Sequence, residues 1–143
     1  MDDLDRNILT LLGADARMSV ATLARRLKVA RSTIQARLER LETTGIIAGY
    51  TLKLGEAARH GRLRASVLLT IEPRSQAAIL TRLKGIGEVE RVFTTSGRFD
   101  LLLQVAASNT PVLDSVLDQI GALTGVKSSE SLIHLSTRLD RAV

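Results

Sequence analysis

The stretch TTSGRFDLLL, residues 94–103, sets an arginine, an aromatic ring and a carboxylate side by side between two runs that are typical of buried β-strands. Turns between strands are usually short and rich in small polar residues. An arginine can hold a carboxylate through paired N–H groups, and an acidic side chain can accept hydrogen bonds or move protons. A plain hairpin turn, a catalytic loop and a ligand clamp are therefore all open interpretations of Arg98, Phe99 and Asp100.

A second distinctive feature is the positive charge of the N-terminal half. Residues 1–64 hold 12 Lys and Arg against 7 Asp and Glu, whereas residues 65–143 hold 8 of each class, so the net charge of +5 belongs to the first half. Between residues 25 and 40, six basic side chains meet only Glu39. Such a cluster predicts a polyanionic partner, the alternative being a solvated helix face.

Composition and motifs exclude several kinds of site. The chain has no cysteine and its two histidines are 74 positions apart, so we expect no metal site. No phosphate-loop or nucleophile-elbow pattern occurs, and we expect no cofactor. The acidic start MDDLDRN, and the lack of an apolar run of roughly 18 residues, predict a cytoplasmic protein without a membrane partner.

Three short helices are predicted in the first 45 residues. The segment LDRNILTLLG has apolar residues at helical spacing, and Ser19 can cap a second helix. In the third, Ile34, Leu38 and Leu41 form the inward stripe, and Ala30 is a poor N-cap. Three helices with a tight turn between the second and third predict a helix-turn-helix.

The outward side of the third helix suits the major groove of DNA. Small and amide side chains can reach base edges there, and Gln35 can pair bidentately with adenine, while arginines hold phosphates. The predicted DNA-binding residues are Arg31, Ser32, Thr33, Gln35, Ala36, Arg37 and Arg40.

The segment after the third helix predicts a wing and a domain boundary. Apolar residues from Ile46 to Leu54 fit a short strand or hairpin, and the polar run GEAARHGR contains two glycines. The predicted organisation is a winged helix-turn-helix domain over residues 1–54, a linker over 55–62 and a second domain over 63–143.

The C-terminal half is predicted to be an α+β domain. In LRASVLLTIE, residues Ala65, Val67, Leu69 and Ile71 share one face of a strand. The order of the predicted elements, β-α-β-β-α-β, is that of a ferredoxin-like sandwich. Helices would cover one sheet face, and an apolar open face would predict at least a dimer. The residues assigned to the open face are Leu68, Val92, Leu102 and Ile133.

Four segments, in this order, resemble signatures of the Lrp/AsnC (feast/famine) family of transcription regulators: LDRNIL, LARRLKVARSTIQARLERLETTGIIAGY, SGRFDLLLQV and LTGVKSSES. The resemblance covers nearly the whole chain. It implies a sequence-specific binder of double-stranded DNA that is not an enzyme. It also implies homodimers that assemble to octamers, and a response to an amino acid or related metabolite bound between dimers.

The resemblance further implies an effector site in the second, RAM/Lrp-type domain. Gly97 permits a turn with positive φ, and Asp100 can either accept from an α-ammonium group or satisfy the turn backbone. The implied effector-binding residues are Ser96, Gly97, Arg98, Phe99 and Asp100 of the loop, with Ser131, Leu132 and His134 of the final strand.

Two residues depart from the family pattern. The position of Arg98 is commonly acidic there, so this arginine can clamp an acidic ligand, point into solvent, or fill the pocket with its own charge. Ala30 stands where a capping serine is usual.

Two alternative functions remain. One is a ligand-independent architectural DNA binder, which Arg98 would suit. The other is an enzyme similar to the sirohaem decarboxylases, which share this two-domain layout. Those enzymes typically carry histidines in the segment that corresponds to RVFTTSGRFDLLL, which has none, so the enzyme is disfavoured.

Overall fold

Three helices build the N-terminal part of the computed structural model, which describes residues 1–59 and 61–141. They are α1 (Asp3–Ala14), α2 (Val20–Leu27) and α3 (Arg31–Thr43). Ser19 caps α2 by accepting a hydrogen bond from the Thr22 N–H, as predicted. Ala30, the N-cap residue of α3, provides no side-chain cap, as expected.

The predicted core stripe of the three helices is confirmed. Ile34 and Leu41 are fully buried and Leu38 packs beside them. Ile8 of α1 and Leu23 of α2 complete this small core, which is separate from that of the second domain. The chain accordingly divides into two compact units, one of Met1–Lys53 with Arg141 and one of Leu54–Asp140.

The turn between α2 and α3 contains a strained residue. Lys28 has φ +56°, the left-handed region, and is the one non-glycine residue with positive φ in the described part of the chain. Its N–H donates to the carbonyl of Ala24, which closes the last turn of α2. This tight connection completes the helix-turn-helix.

The predicted wing does not form as a strand or hairpin. Residues 48–55 have no regular secondary structure, although Tyr50, Leu52 and Leu54 alternate along them and are exposed. A strand exists only where a neighbouring backbone accepts and donates its hydrogen bonds, and no second run turns back here to pair. The Tyr50 hydroxyl instead donates to Glu42 of α3 at 2.8 Å.

The second unit is the expected β-α-β-β-α-β sandwich, preceded by the short helix α4 (Glu56–Arg59). Its strands are β1 (Leu63–Ile71), β2 (Val89–Thr94), β3 (Leu101–Ala107) and β4 (Val126–Ile133), and its helices are α5 (Gln76–Lys84) and α6 (Thr110–Gly121). The antiparallel sheet has the order β2-β3-β1-β4.

The inner face of β1 is the predicted one. Ala65, Val67, Leu69 and Ile71 are buried beneath α5 and α6, whose Ile79, Leu83, Leu113, Val116 and Ile120 complete the core. No helix within the described ranges is long and apolar enough to cross a bilayer.

The open face of the sheet differs from the prediction at two positions. Val92 lies opposite Leu103 and Ile133 lies opposite Ala65, so both share the helix-covered face. Phe93 and Leu132 occupy the open face instead, beside the correctly assigned Leu68 and Leu102. In β2 a register shift between Val89 and Arg91 inserts one residue, and a one-residue shift exchanges the two faces of a strand.

Gly125 should tolerate no side chain. Its φ is +97°, and a Cβ there would lie 2.3 Å from the Cβ of Ser75. We expect Gly125→Ala to lower the free energy of unfolding by roughly 2–4 kcal/mol, measured by urea denaturation. Gly13→Ala is the control, since Gly13 lies within α1 with open space around it and alanine there should add roughly 0.5–1 kcal/mol. Equal effects of the two substitutions would contradict the packing assigned to Gly125.

Candidate functional site

The outward face of α3 carries most of the predicted DNA-binding side chains. Arg31, Ser32, Gln35 and Ala36 are exposed, and Thr33 is half-buried. In the described residues no side chain forms an ion pair or hydrogen bond with Arg31. Arg31 is therefore available to a ligand from outside the chain.

The N-terminal end of α3 is suited to an anion. Ala30 supplies no capping oxygen, and the first turn contains no acidic side chain. The first N–H groups of a helix lack partners within the helix, and the helix dipole makes that end positive. A phosphate at this end would meet backbone donors together with Arg31.

Arg37 and Arg40 have partners within the protein. Arg37 Nη1 lies 2.5 Å from Asp2 Oδ2 and 3.2 Å from Asp5 Oδ1, and Arg40 Nη2 lies 2.6 Å from Asp5 Oδ2. We call these four residues the acid–arginine cluster. The side chain of Arg37 is 26% exposed and that of Arg40 is 53% exposed, so Arg40 keeps more of its surface for an outside ligand.

Sequence reasoning missed the acidic half of this cluster. Asp2 caps α1 by accepting from the Asp5 N–H at 3.0 Å, and Asp5 accepts from the Asp2 N–H at 3.2 Å. An acidic residue three positions after an Asp N-cap is the pattern of a capping box. That spacing was readable in the sequence, but the arginine partners, 32 and 35 residues away, were not.

The cluster keeps both carboxylates ionised. The hydrogen bond from Arg37, followed by that from the Asp5 N–H, lowers the pKa of Asp2 to about 2. Burial acts to raise the pKa of Asp5, but the Asp2 N–H and the two guanidinium groups outweigh it and lower the pKa overall. The two carboxylates in turn raise the pKa of Arg37.

The loop that joins β2 and β3 is closed by its own hydrogen bonds. Gly97 has φ +108°, as the predicted turn requires. The Thr95 hydroxyl donates to the Phe99 carbonyl at 2.7 Å. Asp100 Oδ2 accepts from the Ile71 N–H at 2.8 Å, so this side chain does satisfy backbone, although at the end of β1 rather than within the turn.

Arg98 packs against its neighbour in the same loop. Its guanidinium carbon lies 4.9 Å from the centroid of the Phe99 ring, a cation–π arrangement. Arg98 is exposed, while Phe99 is half-buried.

The other predicted effector residues lie on β4, except that His134 falls just beyond the end of the strand at Ile133. Ser131 pairs with Val67 and Leu132 with Ser66. His134 donates its N–H to the Arg64 carbonyl at 2.9 Å, whereas the loop is attached to β1 at Ile71. Seven residues of strand separate these points, or roughly 23 Å at 3.3 Å per residue. Ser131, paired at Val67, is four residues of strand from Ile71, or roughly 13 Å.

The side-chain environment of His134 is polar. Its Nε2 lies 2.8 Å from Ser66 Oγ. A surface depression of about 250 Å³ lies elsewhere, lined by Arg62, Glu88, Glu90 and their neighbours, and includes no predicted effector residue. Within residues 1–59 and 61–141, no group of three or more His, Cys, Asp or Glu side chains could hold a metal ion.

Comparison with protein families gives two matches that follow the two units. Residues 1–42 match the AsnC-type helix-turn-helix domain, and residues 64–143 match the Lrp/AsnC ligand binding domain.

Two relatives are similar over almost the whole chain. The HTH-type transcriptional regulator LrpA of Mycobacterium tuberculosis is 30% identical over 142 residues, which cover 99% of this chain and 95% of LrpA. The HTH-type transcriptional regulator FL11 of Pyrococcus abyssi is 27% identical over 137 residues, covering 96% of this chain and 91% of FL11.

Solved structures share the fold. Escherichia coli AsnC superimposes with a TM-score of 0.91 at 26% identity, covering 100% of this chain and 97% of AsnC. A transcriptional regulator of Neisseria meningitidis, solved as a complex with L-Met, gives a TM-score of 0.88 at 24% identity, covering 98% of this chain and 93% of that one.

The low pKa of Asp2 should be measurable. Its folded-state pKa, about 2, lies below the usual value of about 3.9, so the unfolded chain takes up the proton first. The stabilisation is complete above about pH 4 and is lost as the pH falls towards 2. We expect a carboxyl NMR titration to place the Asp2 midpoint near 2, and Arg37→Gln to raise it.

Arg6→Gln serves as the control for this titration, because Arg6 pairs with Asp3 at 2.9 Å rather than with Asp2. An Asp2 midpoint near 4 in the unmodified protein would show that Arg37 does not hold its carboxylate.

Proposed function

The chain belongs to the Lrp/AsnC family of helix-turn-helix transcriptional regulators, and we propose that it reads double-stranded DNA through the outward face of α3 and responds to an amino acid or related metabolite. The observation that carries the DNA-reading role is the exposure of small and amide side chains on α3 beside unpaired Arg31. We further propose that the protein is a cytoplasmic regulator and not an enzyme.

The roles on α3 follow from side-chain chemistry. Gln35 can donate to and accept from an adenine edge, and Ser32 can do either with several bases. Ala36 offers an apolar contact of the kind that a thymine methyl group makes. These three side chains are exposed together, on a helix whose inner stripe is anchored by Ile34 and Leu41.

Phosphate contacts come from the edges of this face. Arg31 and the uncapped first turn of α3 can hold one phosphate, and Arg40, half-exposed despite its bond to Asp5, can reach another. The proposed DNA-contacting surface as a whole is Arg31, Ser32, Thr33, Gln35, Ala36, Arg37 and Arg40.

We propose that a second copy of the chain completes the effector site. The site would combine Ser96, Gly97, Arg98, Phe99 and Asp100 with Ser131, Leu132 and His134. Within one chain the loop is attached to β1 at Ile71, whereas Ser131 and Leu132 pair near the middle of β1 and His134 is bonded near its start. In an oligomer, the loop of one copy and the β4 residues of another can contact the same ligand. The match of residues 64–143 to a ligand binding domain supports this location.

The open sheet face supplies a surface for that second copy. Phe93 is 43% exposed and Leu132 is 51% exposed, and both lie on the face that carries Leu68 and Leu102. Burying such a face against its equivalent would form a symmetric homodimer. We propose that such dimers assemble further to octamers, with the effector bound between dimers.

The proposed domain organisation assigns DNA binding and effector binding to separate parts of the chain. Residues 1–54 form the DNA-binding domain, residues 55–62 the linker and residues 63–143 the effector-binding and oligomerisation domain. The short helix α4 lies within the linker range.

DNA binding should depend steeply on salt. From a random duplex pool we would select a preferred sequence and measure its affinity between about 50 and 200 mM salt. Arg31→Ala should reduce the slope of log affinity against log salt by about one, because one phosphate contact is lost. Arg82→Ala, at the exposed end of α5, is the control with the same charge change and should keep the slope. If Arg31→Ala leaves the slope unchanged, Arg31 does not contact a phosphate.

An amino acid should stabilise the protein. A thermal-shift screen of the twenty amino acids is expected to find a ligand, which at a hundred times its Kd adds about 2.7 kcal/mol to the unfolding free energy. Asp100→Asn keeps an oxygen for the Ile71 N–H but removes the charge that an α-ammonium group needs, so it should abolish the ligand shift. Asp114→Asn, exposed on α6, should retain it. No shift at millimolar concentration would favour a ligand-independent DNA binder.

A further inference from the structure

Arg37 faces sideways from α3 rather than outwards. With about 100° per residue, its side chain lies about 60° from the buried Ile34 and about 140° from the outward Ser32. This direction leads to α1, where Asp2 and Asp5 both contact its Nη1. Arg37 is thus placed to join two helices.

The buried carboxylate of Asp5 needs hydrogen-bond donors, and Arg37 supplies one of them. The Asp5 side chain is completely buried, and an isolated buried carboxylate would be very costly. The Asp2 N–H, Arg37 and Arg40 all donate to it. No hydrogen-bonding atom of a buried side chain is left without a partner in the described part of the chain.

Two contact points fix α3 more firmly than one. Arg37 and Arg40 lie almost one helical turn apart, about 4.5 Å along the axis of α3. Both end on the same buried carboxylate of α1. A rotation of α3 about its own axis would move the two guanidinium groups sideways and break these bonds.

We propose that Asp2 and Asp5 are positioning residues for DNA reading, which act through Arg37 and Arg40 to set the rotation of α3 and so decide which side chains face the bases. This inference rests on the proposed DNA-binding function. Under this proposal, Arg37 binds Asp2 and Asp5 and does not contact a phosphate.

A phosphate-binding role for Arg37 predicts the opposite effect of removing the Asp2 charge. If Arg37 held a phosphate in the complex, Asp2 would compete with DNA for the same guanidinium group. Removing the Asp2 charge would then tighten binding to every sequence and increase the salt slope by about one. If Arg37 is a positioning residue, removing that charge loosens α3 without adding a phosphate contact.

Asp2→Asn is the variant that separates the two. Asp2 uses Oδ1 to cap α1 and Oδ2 to hold Arg37. Asparagine keeps the capping oxygen and turns an NH₂ group towards Arg37, so the cap survives while the ion pair is lost. Asp3→Asn is the matched control, since Asp3 is 92% exposed and makes the same charge change one residue away.

The experiment measures affinity for the selected duplex and for a scrambled duplex, each across a range of salt, with helix content checked by circular dichroism. We expect Asp2→Asn to reduce the ratio of the two affinities at least about fivefold, the scale of one base contact. The salt slope should stay as it is in the unmodified protein, and Asp3→Asn should keep the ratio.

Three outcomes would overturn the inference. They are an unchanged ratio in folded Asp2→Asn, tighter binding to both duplexes with a steeper salt slope, or an equal loss of the ratio in Asp3→Asn. Arg37→Gln provides a second test should Asp2→Asn lose helix content, because glutamine removes the charge that Asp2 and Asp5 both contact through Nη1. It should lower the ratio without changing the slope, and a retained ratio there also overturns the inference.

The same experiment distinguishes failure of the proposed DNA-binding function from failure of the positioning role. If the unmodified protein binds both duplexes equally, sequence reading by α3 is wrong and the inference falls with it. If the unmodified protein discriminates and the variants discriminate equally well, only the positioning role is wrong.

Discussion

The buried carboxylate of Asp5 is the constraint around which the helix-turn-helix is arranged. It is removed from solvent at the start of α1, where only hydrogen-bond donors can keep it ionised. One donor is the N–H of Asp2, and the others are the guanidinium groups of Arg37 and Arg40. Removing one partner of a buried ion pair usually destabilises strongly, because the other charge stays buried. This contact joins α1 to α3, the helix that we propose reads DNA.

The second unit divides its sheet between two tasks. One face is buried by α5 and α6 around Leu69 and Leu103, which gives the domain its stability. The other face keeps Phe93 and Leu132 exposed beside Leu68 and Leu102, an apolar surface suited to a second copy of the chain. The β2–β3 loop is attached to β1 at Ile71, whereas His134, just beyond β4, is bonded at Arg64 near the other end of that strand.

Many elements were predictable because their signals are local. The cap at Ser19, the missing side-chain cap at Ala30 and the inward stripe of α3 depend only on neighbours along the chain, and all are confirmed. The predicted wing and the faces of β2 and β4 were wrong because strand pairing and register depend on distant backbone. The bulge beyond Val89 moved Val92 to the helix side, and no partner strand was available to Tyr50 and its neighbours.

The sequence by itself determined the order of the elements and the basic character of the first half, since periodicity, caps and composition act over a few residues. The family followed from the resemblance of four segments to known signatures. Tertiary structure decided what individual charges do. Arg37 meets Asp2 across 35 residues, and Asp100 meets Ile71 across 29. The sequence pattern around a helical arginine is the same whether its side chain binds a phosphate or a carboxylate. Only folding decides which anion lies within reach, because the partner arrives from another element.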